Sequence, residues 1–226
     1  MKMIMKRSII MFASFFYAVA TFAQSSTANS DKDNYTQMIT QRSNKIVAVL
    51  NLTDSVKVKK VRDIVAMQYI SLNDIYDARN ASRKQIKEQT GDDKTAAAAK
   101  VADVDSNVNK QLRTQHTIYL SKLSKELNAE QVDQIKDGMT YRVYPITYAA
   151  YQDELPNLTE PQKAKIKAWL IEARENAIDA ESSEKKHAWF GKFKGRINNY
   201  LSAQGYDMKK EGEEWQKRIK ERNMKN

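Results

Sequence analysis

The chain has 226 residues, no cysteine and a formal net charge of +10 at pH 7. The lack of cysteine excludes disulfide bonds, thiolate chemistry and a lipid-modified cysteine, so packing and helix length must stabilise the fold. The positive charge alone would suggest a nucleic acid partner, but the N-terminus points to a different compartment.

The first 23 residues predict a signal peptide. A charged start containing Lys2, Lys6 and Arg7 precedes an apolar run and the small residue Ala23. The apolar run is shorter than the roughly 20 residues that cross a bilayer. We therefore predict cleavage after Ala23, export to the periplasm or the cell exterior, no membrane span and a net charge of +7 over residues 24–226. Export argues against nucleic acid and cytosolic cofactors as partners.

The mature chain has the pattern of an all-α protein. No Gly or Pro interrupts the sequence from Gln24 to Thr90, whereas a β-protein would need frequent turns. Apolar residues recur at three- and four-residue steps, which predicts a first amphipathic helix containing Tyr35, Met38, Ile39, Ile46, Val49 and Leu50.

Two long helices should follow and form an antiparallel αα-hairpin. Gly91 is a suitable residue to end the first of them, and Gly91 to Asp93 would form the connection. The apolar positions are Val58, Val61, Val65, Leu72 and Ile75 before the connection and Val101, Val104, Val108, Leu112, Tyr119 and Leu123 after it. We expect this hairpin, from Thr53 to Leu127, to be the spine of the fold.

Three segments share the pattern of a helix start, at residues 52–56, 127–131 and 158–162. In the second and third, Asn128 or Thr159 can cap the helix while a Gln three residues later returns the hydrogen bond; this capping mechanism is sufficient to explain the spacing. The first segment lacks the Gln. The pattern also resembles the Leu-Thr-x-x-Gln motif of the Spy/CpxP periplasmic chaperones, which Leu158 to Gln162 matches in full. That resemblance implies an exported all-helical chaperone.

Four of the eleven tyrosines lie between Tyr141 and Tyr151, around Pro145. We predict a bend there, packed by the Tyr rings, which could alternatively form one wall of a binding site. A helix beginning near Thr159 should bury one face and expose Glu172, Glu175 and Asp179 to solvent. No facing pair of carboxylates for glycoside hydrolysis is identifiable, so we predict no catalytic residues.

Residues 187–201 are the most unusual part of the mature chain. If the segment is helical, Trp189, Phe193, Ile197 and Tyr200 share one face and should be core. The opposite side carries Gly191, Gly195, Asn198 and Ser202. Each interior Gly costs a helix about 1 kcal/mol relative to Ala. The strip could therefore accommodate a neighbouring backbone, mark a loop that interrupts the helix, or face a ligand.

Continued through Gly205-Tyr206-Asp207, this segment resembles a secreted bacterial family of unknown function that is provisionally described as sugar-binding. The resemblance extends over most of the mature chain and implies a carbohydrate-related accessory protein. Aromatic rings, amides and cations are suitable sugar ligands, and basic residues favour an acidic sugar. The candidate ligand-binding residues are His187, Lys194, Arg196, Asn198, Asn199, Tyr141, Arg142, Tyr144 and Tyr148.

No cofactor or metal is expected. His116 and His187, the only histidines, are far apart in sequence, and no P-loop, dinucleotide fingerprint or nucleophile elbow is present. We predict a single helical domain over residues 24–226, a bundle of five to seven helices. The expected function is that of an exported, non-enzymatic binding or accessory protein, with carbohydrate as the suggested ligand. A Spy/CpxP-like chaperone and a glycan-active enzyme are the alternatives; the ligand and oligomeric state are left open.

Overall fold

The computed structural model describes residues 18–224, with side chains described from Lys32 onward, and this part of the chain forms eight α-helices. The helices are α1 (Ala18–Ala48), α2 (Ser55–Thr90), α3 (Lys94–Glu126), α4 (Ala129–Met139), α5 (Val143–Glu154), α6 (Glu160–Ile178), α7 (Ser183–Ala203) and α8 (Met208–Met224). The all-α prediction is confirmed. The predicted signal peptide lies outside the described residues as far as Tyr17, and its cleavage stays a prediction.

Helix α5 raises the count above the predicted five to seven. The tyrosine-rich segment was expected to be a bend, but Pro145 occupies the third position of α5, in the first turn, where its missing N–H costs no intrahelical hydrogen bond. The bend itself is shorter: Tyr141 and Arg142 have φ values of 59° and 57° and connect α4 to α5. A left-handed pair of non-glycine residues is uncommon in such a connection.

The predicted hairpin consists of α2 and α3, which pack along each other. Their cross-links run in opposite chain directions, as an antiparallel pair requires: Lys60–Glu126, Gln68–Gln115 and Arg83–Asp105. Gly91 ends α2 with φ at 52°, and the Asp93 carboxylate caps α3 by accepting from the amides of Thr95 and Ala96.

Both predicted capping boxes form. Asn128 and Gln131 exchange backbone and side-chain hydrogen bonds at the start of α4, and Thr159 and Gln162 do the same at α6. At α2 the cap is Asp54 rather than Thr53, because the Asp54 carboxylate accepts from the amides of the second and third helical residues. A carboxylate at this position also interacts favourably with the positive end of the helix dipole.

The first of two apolar clusters lies among α1, α2, α3 and α4 and includes Val61, Val65, Leu123 and Ile135. The buried positions of α1 are Ile39, Ser43, Ile46 and Val47, and Leu50 is buried in the turn that follows. Met38 in the helix and Val49 in the turn are about half exposed, at 48% and 52%. The predicted stripe was therefore displaced toward one side of the true buried face.

The second apolar cluster lies among α5, α6 and α7, and its centre is formed by Ile166, Leu170, Phe190, Ile197 and Leu201. Helix α8 packs on the end of α5, where Arg218 donates to the backbone carbonyls of Asp153 and Glu154 and Trp215 Nε1 donates to the Asp153 carboxylate. Within residues 18–224, no helix combines the length and apolar character required to cross a bilayer.

Candidate functional site

A cleft of about 680 Å³ lies where the hairpin meets α6 and α7. Helix α3 forms one wall with residues that recur at three- and four-residue steps: Asn109, Leu112, Arg113, His116 and Thr117. Lys185 and Trp189, four residues apart on α7, form the opposite wall. Further lining residues are Tyr76 and Arg79 of α2, Glu175 of α6, and Asp179 and Glu181 just after α6. The size of the cleft is that of a typical small-ligand site.

The floor of the cleft is a hydrogen-bonded network centred on Asp179. Its Oδ1 accepts from Gln68 Nε2 at 2.9 Å, and Gln68 Oε1 in turn accepts from Gln115 Nε2 at 2.7 Å. The Tyr76 hydroxyl donates to the Asp179 backbone carbonyl at 2.8 Å. Gln68 is only 1% exposed, so these bonds satisfy polar groups that water does not reach. The network holds α6 against the hairpin.

His116 is the second centre of the network. Its Nδ1 lies 2.6 Å from Asp179 Oδ2 and its Nε2 lies 3.8 Å from Glu175 Oε2. Since a carboxylate only accepts, Nδ1 carries the proton. The hydrogen bond to Asp179, and then the negative charges of Asp179 and Glu175, raise the pKa of His116 against the opposing effect of burial. The imidazolium form is therefore favoured beside these two acids.

Further ion pairs continue this network into α4. Lys136 Nζ lies 3.0 Å from Glu175 Oε2. The guanidinium of Arg174, whose side chain is 2% exposed, lies 2.7 Å from the carboxylates of both Asp133 and Asp137. A buried cation with two carboxylate partners fixes the orientation of α6, which determines where Glu175 is presented.

Helix α7 is fixed on α6 by a buried lysine. Lys186 donates to the carbonyls of Ala177 and Ile178 at the C-terminal end of α6, at 3.0 and 2.7 Å. Burial lowers the pKa of Lys186 to about 8. This contact sets the rotation of α7, so that Lys185 and Trp189 face the cleft.

The prediction of a solvated helix face is wrong for Glu175 and Asp179. They lie one turn apart, with Asp179 at the C-cap of α6, and both approach His116 of α3. Among the acids of that predicted face, Glu172 is exposed. The stripe of polar residues on α3 from Asn109 to Thr117 was the available signal for the cleft.

Several residues predicted to bind ligand lie on the other flank of α7. The rings of Tyr141 and His187 are stacked, with centroids 5.3 Å apart. Lys194 and Asn198 line a smaller groove of about 360 Å³ against Tyr151 of α5. The Tyr151 hydroxyl donates to Asn198 Oδ1 at 2.7 Å, so the acceptor of that amide is already engaged.

The remaining predicted residues are dispersed. The Arg196 guanidinium lies over the Trp169 ring at 4.6 Å, on the α6 side of α7, and Asn199 is exposed. Tyr144 lies under the Arg174 guanidinium at 5.2 Å, with Tyr148 beside it. Arg142 is exposed in the bend before α5. The structure thus brings Tyr141 together with His187 and Lys194 with Asn198, and it separates Arg196 from both pairs.

Two of the three explanations for the glycine strip are excluded. Helix α7 is continuous across it, so no loop interrupts the helix. A Cβ atom built on Gly191 or Gly195 would meet no atom of the described residues within 4 Å, so no described helix packs on either glycine. The predicted core face also differs: Phe193 and Ile197 are buried as expected, while Trp189 and Tyr200 are half-buried and Phe190 and Leu201 take the buried positions.

Among the described residues, no group of three or more His, Asp and Glu side chains is placed to hold a metal ion. His116 has two carboxylate neighbours, but Lys136 and Arg174 already neutralise Glu175.

A family model matches residues 36–221, from α1 into α8. The chain belongs to the family described as "Protein of unknown function (DUF3826)". No curated protein matches its sequence significantly. The DUF3826 match includes every residue of the cleft and of the α5–α7 groove. It confirms membership of a family of unknown function, while sugar binding and a relationship to Spy/CpxP chaperones stay predictions.

Proposed function

We propose that the protein is an exported, non-enzymatic binding protein for carbohydrate, and that the cleft between the hairpin and α6–α7 is its binding site. The observation that carries this proposal is the combination, in one open cleft of about 680 Å³, of an aromatic wall at Trp189 with hydrogen-bonding side chains on α3. Trp189 is half-buried, and Lys192 Nζ lies 5.1 Å from the centre of its ring. Saccharides bind to such surfaces because their C–H faces pack on aromatic rings while polar groups contact their hydroxyls.

The network below the cleft supports a binding role in particular. Asp179 is held by Gln68 and His116, and Glu175 is held by Lys136, so the floor is fixed in position before any ligand arrives. A site that is ordered in advance loses less entropy on binding. The same pairing argues against a glycosidase, because these two carboxylates lie side by side on one helix instead of on either side of a bond.

The chaperone alternative has weaker support. Its one sequence signal, Leu158 to Gln162, forms a capping box, which explains those residues without any client protein. The resemblance to a secreted family described provisionally as sugar-binding adds to the carbohydrate proposal, as does the predicted signal peptide.

The experiment is a glycan array with the mature protein, covering acidic and neutral polysaccharides, followed by titration calorimetry with the best saccharide. Trp189→Ala should weaken binding several-fold or more, since stacking on an aromatic ring is worth on the order of 1–3 kcal/mol for a nucleic acid base and a sugar ring packs on the same surface. Trp169→Ala is the matched control, because Trp169 is also half-buried but packs on Tyr200 away from the cleft.

A second variant tests the cleft independently of whether Trp189→Ala folds correctly. Asn109→Tyr places a large ring in the cleft from an exposed helical position, so it should block binding without a loss of stability. Normal binding by both cleft variants, with loss in Asn198→Ala instead, would transfer the site to the α5–α7 groove. Binding of no saccharide on the array would refute the proposed function.

A further inference from the structure

We propose that the saccharide bound in the cleft is anionic, carrying a carboxylate or a sulfate that Arg113 and Lys185 recognise together. This inference rests on the proposed function and specifies the class of its ligand. It begins from the charges that line the cleft, which are three acids, two arginines, one lysine and one histidine.

Every acid in the cleft already has a cationic partner. Asp179 pairs with His116 at 2.6 Å, Glu175 pairs with Lys136 at 3.0 Å, and Glu181 pairs with Arg79 at 2.7 Å. The Glu181 carboxyl also has a lowered pKa, chiefly because Arg79 donates a hydrogen bond to it. The three acids are therefore compensated within the protein.

Two cations of the cleft, Arg113 and Lys185, remain without a direct carboxylate partner among the described residues. Within residues 32–224, whose side chains are described, neither Arg113 nor Lys185 has a carboxylate partner within 4 Å, although both line the cleft. They are on opposite walls, since Arg113 is on α3 and Lys185 is on α7. Lys185 is close enough to Glu181 to help lower the pKa of that carboxyl, but the direct ion pair of Glu181 is with Arg79. A ligand between the walls would meet one cation without a direct ion pair from each side, which is an arrangement that selects an anion.

Other groups near these two cations suit a sugar ring rather than a simple ion. Asn109 lies one turn before Arg113 on α3, and Trp189 lies one turn after Lys185 on α7. An anionic pyranose could therefore place its charge between the two cations and its ring face on Trp189, with Asn109 available to a hydroxyl. An arginine also matches the planar, two-oxygen geometry of a carboxylate or a sulfate.

The test is calorimetry with matched saccharide pairs. Oligogalacturonate is compared with its fully methyl-esterified form, and chondroitin sulfate is compared with its desulfated form, so that carboxylate and sulfate are examined separately. We expect one acidic member to bind at least about tenfold more tightly than its partner, since hydrogen bonds to charged groups contribute roughly 1.5–3 kcal/mol. The preference should weaken as salt concentration rises.

Arg113→Gln and Lys185→Gln should each remove most of that preference and keep binding of the neutral member, because neither residue is buried. Lys194→Gln is the control: it removes an exposed lysine from the other flank of α7 and should leave the preference unchanged. Inorganic sulfate and polyglutamate are titrated in parallel and should bind much more weakly than the acidic saccharide.

The outcomes separate the two proposals. Equal binding of acidic and neutral members, still lost in Trp189→Ala, would refute the anionic inference and leave the carbohydrate site standing. Unchanged preference in both charge variants would also refute it. Polyglutamate binding as tightly as the acidic saccharide would refute the saccharide ligand and the proposed function with it.

Discussion

The two flanks of α7 present different kinds of surface. On one flank, Lys185 and Trp189 face a large cleft whose floor is built from polar side chains of three other helices. On the other flank, Lys194 and Asn198 face a smaller groove whose walls come from α5. Both flanks are basic and adjoin aromatic residues, but only the first has a fixed network of charges beneath it.

The sequence of a helix therefore identifies its buried stripe more readily than the flank that binds a ligand. The buried stripe follows from residue spacing within α7. The ability of each flank to bind a ligand depends instead on the side chains that distant helices place opposite it. The polar floor of the cleft depends on Asp179 and Gln115, which come from different helices and are joined through hydrogen bonds to Gln68.

The largest expected effect is on stability and comes from the buried stripe of α7, which lies between the two flanks. Phe193 is 4% exposed within the second apolar cluster, so Phe193→Ala should lower the free energy of unfolding by about 3–5 kcal/mol. Lys194→Ala, at the next position and exposed, should change it by less than about 0.5 kcal/mol. Chemical denaturation measures both. Similar losses in the two variants would mean that the stripe is misplaced.

Two helical glycines should respond in opposite directions to the same substitution. A Cβ on Gly138 would lie 2.9 Å from Ile46 Cγ2, so Gly138→Ala should destabilise the protein by about 1–3 kcal/mol through overpacking of α4 against α1. Gly191→Ala should stabilise it by up to about 1 kcal/mol, because its Cβ would point into open space.

Thermal or chemical denaturation of the pair decides this prediction. A loss of stability in Gly191→Ala would indicate a contact on the glycine strip that the structure does not contain. If Gly191→Ala is stable and also binds saccharide normally, the strip has no role as a ligand wall.

The helix caps allow a finer comparison. Thr159→Ala and Asp54→Ala should each cost about 1 kcal/mol, because each removes the side chain that accepts from the first turn of its helix. Thr53→Ala should cost clearly less, since Thr53 is exposed and Asp54 is the cap. Urea denaturation of the three variants measures this. Equal losses for Thr53→Ala and Asp54→Ala would contradict the assignment of the cap.

The smallest expected effect is a pH dependence of the cleft floor. The pKa of His116 is raised in the folded state, mainly by its hydrogen bond to Asp179, so the stabilisation is complete below the unfolded value of about 6.5 and is lost as pH rises through the folded value. Wild type should therefore exceed His116→Gln in stability most in mildly acidic solution.

Denaturation of wild type and His116→Gln between about pH 5.5 and 8 tests this sign, since carboxylates that ionise well below that range remain constant. The pKa of Lys186 is lowered to about 8, so its titration makes the stability of both proteins rise with pH above that value. The series therefore ends at pH 8. A wild-type advantage that grows toward pH 8 would contradict the proposed pairing.

Local sequence rules predicted the features that depend on near neighbours. The all-α fold, the hairpin connection at Gly91 and both capping boxes follow from spacing and from cap chemistry within a few residues. Helix α5 was missed because Pro145 suggested a break, although proline is tolerated in the first turn of a helix.

The cleft could not be predicted in the same way. Gln68 and Asp179 are 111 residues apart in sequence, and His116 and Asp179 are 63 apart, so no local pattern connects them. On its own helix, Asp179 belongs to a polar row that resembles a solvent-exposed face. Only the side-chain contacts that Asp179 and Glu175 make with α2 and α3 convert that row into the floor of a site.

Hydrogen–deuterium exchange with and without the tightest-binding saccharide tests most directly whether the cleft is the binding site. We predict protection of peptides covering Asn109 to Thr117 on α3 and Lys185 to Trp189 on α7, with little change in peptides covering Ile146 to Glu154. Protection confined to α5 and to the segment from Lys194 to Asn198, with α3 unaffected, would contradict this prediction.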